Sequence, residues 1–407
     1  MYSLTLAIVV ALFILDITLS TLNYRQRSQP IPQNVSDVYE VEDYKQWLNY
    51  TMEKFKLGIF SKTVNTLILL ALLAFNIFPF LGAKSQALHT NVLVQTLIFF
   101  AMYGAIYYMS NIGFSLYQTF SIEARYGFNT TSLKTFVMDQ LKGFLLGILI
   151  GGGLLSILLY LYISLGTGAI FYAWLIIMAF ILTINLLYTR LFIGIFNKLT
   201  PLPDGDLSDK STQLANRLGY EIRKISVMDA SKRSTRLNAF FTGFGRFKNI
   251  ILYDTLLEKC ATDEIVSVLA HEMGHGKHRD VLKNLILTAL QMAITLSLLS
   301  YFLSSESFAT AFGFSGPHYG FAIILFGILM EPLGILLNIP LSAMSRRAEY
   351  KADAYASDAG YGEALCSALK VLARENFSNL TPHPLLVKLT YSHPPVSQRI
   401  EALRALK

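Results

Sequence analysis

The sequence predicts a polytopic α-helical membrane protein, and three observations lead there. Its 407 residues are 53% hydrophobic and only 15% charged, with a mean hydropathy of +0.45, which lies outside the composition of soluble enzymes. Seven stretches approach or exceed the roughly 20 apolar residues that cross a bilayer as a helix; they cover about 2–22, 64–82, 92–116, 143–165, 169–189, 284–304 and 320–344. Lysine and arginine alternate between the connections: 6 in 23–63, 1 in 83–91, 3 in 118–142, none in 166–168, 14 in 190–280 and none in 305–319. That alternation predicts that every basic segment faces the cytoplasm.

No Lys or Arg precedes the first span, whereas Arg25 and Arg27 follow it. A retained helix with its N-terminus outside is therefore expected, not a signal peptide. In the fourth span Gly143, Gly147 and Gly151 recur every four residues, which predicts one helix face packed closely on another span. The net charge of +7 follows from membrane orientation, and no interleaving of basic and aromatic residues points to nucleic acid. Cys260 and Cys366 both fall on the expected cytoplasmic side, where neither a disulfide nor glycosylation of the sequons at Asn34, Asn49, Asn129, Asn376 and Asn379 is expected.

Spans one to five and their loops take up 1–189, and spans six and seven take up 284–344. Two polar regions remain, 190–283 and 345–407, and because they flank the last two spans they emerge on one face and form one domain. The first has the period-two character of short strands in "YEIRKISVMDA" and "KNIILYDTLL", around a turn-rich "SKRSTRLNAFFTGFGRF". The second is helical by pattern.

Residues 271–280, "HEMGHGKHRD", concentrate three of the chain's seven histidines. They continue the helical pattern of "TDEIVSVLA", for which Thr262 is the expected N-cap, with Asp263 and Glu264 in the first turn. His271 and His275 are little more than one turn apart, so both imidazoles leave one face and can chelate one ion. Glu272 points beside that pair, as a base acting on water would. An H-E-x-x-H also arises by chance on helix surfaces, but here an apolar run precedes it and burying these groups unsatisfied would be costly.

A third ligand should come from a second helix on the same side, and "RRAEYKADAYASDAG" (346–360) supplies Glu349, with Asp353 one turn on to accept a ligand imidazole's N–H. Taken alone, those carboxylates would be read as partners of Arg346 or Lys351. With H-E-x-x-H in the same chain the His2Glu reading prevails. Asp280 is a candidate to orient His275. His278, rotated about 60° from His275 on an ideal helix, is not expected to be a ligand, and His89, His318 and His383 lie in connections without a partner pattern. Asp16 and Glu331 fall inside predicted spans, where an ionisable group usually faces an interior or aqueous cavity.

H-E-M-G-H followed, after a pair of spans, by R-R-A-E-Y-K-A-D resembles the Ste24-type CAAX prenyl proteases, integral-membrane zinc peptidases of the M48 class. The resemblance continues through "PLPDGD" (201–206), "DASKRSTRLNAFFTGF" (229–244), "ILYDTLL" (251–257) and "SHPPVSQRIEAL" (392–403). It implies seven tilted helices forming a barrel around an intramembrane chamber, capped by a small α+β zincin-like domain. It implies one Zn2+ on His271, His275 and Glu349, with Glu272 as general base, His393 and Arg399 as supporting active-site residues, and Asn238, Ala239 and Phe240 on the strand lining the substrate. The implied substrate is a prenylated C-terminal CAAX sequence that loses its last three residues; the implied surroundings are membrane lipid, with no nucleic acid partner. A quality-control peptidase of the heat-shock type is the nearest alternative. A site-2-type protease would need an L-D-G aspartate in a later span, and the only similar sequence is "LPDG" (202–205), upstream in a loop. A lipid or solute transporter would not require the His2Glu set.

Overall fold

The computed structural model describes residues 1–188, 193–220, 224–242 and 249–406. The expected domain division at 189/190 and parts of the expected strand segments lie outside these residues. The first half of the chain is helical: α1 (Tyr2–Gln26), α2 (Val41–Ala74), α3 (Ile77–Leu88), α4 (Val92–Tyr117), α5 (Leu133–Leu146), α6 (Gly153–Leu165) and α7 (Ala169–Tyr188). A mixed segment follows, with α8 (Gly194–Phe196), β1 (Leu199–Pro201), α9 (Asp206–Arg217), β2 (Lys224–Met228), β3 (Ala239–Thr242), β4 (Asn249–Tyr253), α10 (Asp254–Lys259) and α11 (Thr262–Lys277). Then come α12 (Asp280–Ser304), α13 (Glu306–Thr310), α14 (Tyr319–Ala356), α15 (Gly362–Glu375), α16 (Pro384–Thr390) and α17 (Val396–Ala405).

Among the described residues, six helical stretches are long and apolar enough to cross a membrane. One of them, Leu133–Tyr188, runs 56 residues and contains two of the expected spans. Inside it the chain turns at Gly166, whose φ of 57° suits a residue without a Cβ, and α6 then packs on α7.

The expected second span, 64–82, is not one element. α2 begins at Val41 and ends at Ala74, and Asn76, in the left-handed region at φ 56°, separates it from α3. An apolar window locates the part of a helix that lipid tolerates, not the helix ends. The polar first half of α2 stays helical and sends Trp47 into the core of the polar domain. Among the described residues the expected glycine contact is also absent: a Cβ on Gly143, Gly147 or Gly151 would meet nothing within 4 Å, and Gly147–Gly152 forms a widened π-helical turn. Period four puts residues on one face but does not say what that face meets.

The sheet has the order β1-β2-β4-β3, with β2 and β4 parallel in the middle and antiparallel edges. β3 falls within the segment read as turn-rich, because four residues are too few to display a period. Ile250 and Leu252 of β4 pack with Val266, Leu269 and Met273 of α11 and with Leu365 of α15, forming the core that fixes α11. α11 starts at Thr262, and its N-cap is Ala261, not the expected Thr262. Glu264, a turn later, accepts the Ala261 N–H at 2.8 Å, so the carboxylate does the capping.

Asp16 and Glu331 line the same cavity, of about 720 Å³, between α1, α2, α4 and α14, with Leu389 and Thr390 of α16 also on its wall. Lys62 of α2 pairs with Asp16 at 2.7 Å across it.

Candidate metal centre

Two helices build the site, and a pair of small residues lets them meet. α11 packs on α14, and a Cβ added to Gly274 would lie 2.9 Å from the Ala352 Cα. Gly274 sits just before His275, and Ala352 between Glu349 and Asp353. The backbone approach that only glycine permits therefore brings the imidazoles of one helix to the carboxylates of the other.

The donor atoms converge. His271 Nε2 and His275 Nε2 are 3.2 Å apart, Glu349 Oε2 is 3.5 Å from the first, and Glu349 Oε1 is 3.3 Å from the second. Ligands at about 2.0–2.1 Å from a tetrahedral ion lie about 3.3 Å from one another, so the three residues have the separations that one small cation needs. They form a group of potential metal ligands whose donor atoms all lie within 4.8 Å.

The tautomers agree. His271 Nδ1 lies 2.8 Å from Asp353 Oδ1, and His275 Nδ1 lies 3.1 Å from Asp280 Oδ2. Each carboxylate accepts the Nδ1–H, which in the neutral imidazoles leaves the Nε2 lone pairs facing each other. Glu349 Oε2 is buried and, among the described residues, accepts no hydrogen bond. Facing lone pairs and an orphaned carboxylate oxygen are unfavourable unless a cation lies between them.

The electrostatics point the same way. Among the described residues, Glu272, Glu349 and Asp353 share one guanidinium, that of Arg399, and Asp280 has Lys283 Nζ at 3.3 Å, so four carboxylates face two permanent cations. Burial disfavours the charged imidazole, but the facing carboxylates outweigh it: Asp353 and Glu349 raise His271, and Glu349 and Asp280 push His275 up to about 9. The site is short of positive charge. Burial raises the Glu272 carboxyl, partly offset by the neighbouring imidazoles.

Arg399, buried on α17, grips Asp353 through Nε at 2.8 Å and Nη2 at 2.6 Å and brings Nη1 to 3.4 Å from Glu349 Oε2. It stands behind the donors. His393 is on the open side, its side chain 66% exposed, with Nε2 3.2 Å from Glu349 Oε1 and Nδ1 2.9 Å from Ser392 Oγ. Asn238 is exposed just ahead of the edge strand β3, which carries Ala239 and Phe240 and contacts α11.

The remaining histidines are accounted for elsewhere. His278 caps the end of α11 and lies against Tyr355, His318 and His383 cap the starts of α14 and α16, and His89 accepts the Asn91 N–H. Sequence reasoning passed over Gly274 and Ala352, although a small residue between the donors on each helix was the available signal. It also read Asn376 only as a sequon.

A family model described as peptidase family M48 matches residues 201–407, half of the chain, and includes every donor named above. The chain belongs to peptidase family M48. A model described as the CAAX prenyl protease N-terminal region, with five membrane helices, matches residues 20–198 of this M48 chain. Among curated relatives, a CAAX prenyl protease 1 homolog of Oryza sativa subsp. japonica is 32% identical, over 98% of this chain and 96% of its own. CAAX prenyl protease 1 of Saccharomyces cerevisiae is also 32% identical, over 94% and 91%. The crystal structure of S. mikatae Ste24p superposes with a TM-score of 0.93 at 29% identity, covering 99% of this chain and 98% of that one. This M48 chain is thus an integral, multi-pass membrane metallopeptidase.

Proposed function

We propose that the metal is a single zinc ion held by His271, His275 and Glu349, and that the protein is an endopeptidase cutting prenylated CAAX-type C-termini. The observation that carries this reading is the His2Glu donor set with Glu272 beside it and both Nδ1 protons held by carboxylates. Two imidazoles and a carboxylate leave a fourth position open, the arrangement of catalytic zinc sites. The substrate class is supported by the names of relatives that match nearly end to end.

Zinc, when bound, polarises the scissile carbonyl and makes water nucleophilic near neutral pH. Glu272, with its raised pKa, takes the proton of the attacking water and hands it to the leaving amine. His393, on the open side, donates to the oxyanion that develops on the carbonyl. Arg399 and Asp353 act through His271 and Glu349, holding their orientation. The scissile peptide lies extended along the free edge of β3, where main-chain pairing by Ala239 and a side-chain bond from Asn238 hold it without reading its sequence.

The reading also divides the chain as the hydropathy does: helices in 1–189 and 284–344 in the bilayer, 190–283 and 345–407 forming the peptidase unit. Counting the turn at Gly166 as a reversal makes seven crossings arranged as a barrel, with the basic segments and the peptidase unit in the cytoplasm.

Metal analysis and peptidase assay of purified Glu272→Gln test the core of the proposal. Zinc content should stay at the wild-type level while kcat falls about 10²–10⁴-fold. An active Glu272→Gln enzyme would remove the general base. Mass spectrometry of cut sites on matched prenylated and unprenylated peptides tests the substrate class: equal turnover of both would point to quality control of membrane proteins instead.

A further inference from the structure

The residues that lead into β3 are held by contacts that the metal site does not use. Tyr253 N–H donates to Asn238 O at 3.1 Å, so the Asn238 main chain faces β4. Neighbouring residues of an antiparallel strand alternate, which turns the main-chain groups of Leu237, Ala239 and Phe241 to the free edge. At Leu237 both groups are taken by one side chain: Leu237 N–H donates to Asn376 Oδ1 at 2.9 Å, and Asn376 Nδ2 donates to Leu237 O at 3.0 Å.

A carboxamide bound in this way copies the donor and acceptor of one residue of an added strand, and it occupies that residue's place. It is firmly held. The Asn376 main-chain carbonyl accepts Arg236 Nη1 at 2.7 Å, and Arg236 also reaches Glu123 Oε2 at 3.1 Å and lies 4.1 Å over the Phe128 ring. Leu237 itself is 3% exposed. At the next edge position, Ala239, the edge is open: among the described residues the Ala239 N–H meets only the Oδ1 of exposed Asn238 at 2.9 Å, a side chain free to swing out.

We propose that the Asn376 carboxamide is the register stop of the substrate strand. It closes the edge at Leu237 so that pairing starts at Ala239, which fixes how many substrate residues lie between that end and the metal. The inference rests on the strand-addition reading above and adds what sets its phase. A slip of one residue would turn every substrate side chain to the opposite face, so the competing register is two residues away, and that is the one Asn376 blocks. An enzyme that removes a set number of residues requires such an origin.

The test uses the full-length enzyme in detergent and a prenylated peptide extended by several residues beyond the cysteine, with products identified by mass spectrometry. The wild type should cut at one bond. Asn376→Ala frees the Leu237 N–H and C=O, and a second product, cut two residues from the first, should rise to about a tenth of the total or more, with zinc content unchanged. Asn376→Asp, which keeps the acceptor for the Leu237 N–H and loses the donor, should give less of the same second product. A single, unmoved cut in both variants overturns the register stop. Wild-type kcat/KM in Ala239→Pro, which removes the N–H that an added strand would pair with, would instead tell against strand addition itself, so the two failures are separable.

Discussion

Helices α11 and α6 are both hydrophobic enough to need a nonpolar home, yet α11 buries nine of its 16 residues against protein while α6 buries only Leu159 of its 13. In the first, every neighbour is a side chain of definite shape, so position is fixed to a fraction of an ångström, as a metal site demands. In the second, lipid is the expected neighbour and only apolarity is specified. Chemistry resides where neighbours are specific.

The largest effect that could break this contrast is at the donors. His271→Ala, His275→Ala and Glu349→Ala should each abolish bound zinc and lower kcat/KM by more than about a thousandfold; full metal occupancy in any of them, measured by elemental analysis, would take that residue out of the site. One shell outward, Asp353→Asn and Asp280→Asn should weaken zinc affinity about 10–100-fold in chelator competition. If either left affinity untouched, the imidazole it faces would be oriented by something else.

Smaller effects sharpen the same contrast. Gly274→Ala forces a methyl group to 2.9 Å from the Ala352 Cα and should cost about 1–3 kcal/mol in thermal or denaturant unfolding. Gly147→Ala, where a Cβ meets nothing within 4 Å, should change stability by less than about 0.5 kcal/mol. A large loss at Gly147 would mean that its face packs on something after all.

The contrast also governs what could be read from the sequence. H-E-x-x-H is legible because one helical turn fixes both imidazoles, and Glu349 followed because Asp353 repeats the same spacing on a second helix. Apolar runs gave the membrane character but misplaced the second span, since the turn at Asn76 interrupts a stretch that hydropathy sees as continuous. β3 was obscured by its length. The bond between Asn376 and Leu237 joins residues 139 positions apart through a side chain, and no local pattern records such a pair.

α14 continues without a break from Tyr319 to Ala356, past Pro332 and Pro340. At 1.5 Å per residue, Glu349 stands about 27 Å along the rod from Glu331, which lines the cavity among the membrane helices. An unbroken helix of this kind sets altitude. A substrate moored in the bilayer by an isoprenoid floats at a depth that its anchor decides, and a donor mounted on a rod planted in the same bilayer waits at a matching height. The encounter then becomes a search in two dimensions, and thickening or thinning the lipid would mistune it by raising or lowering one party against the other.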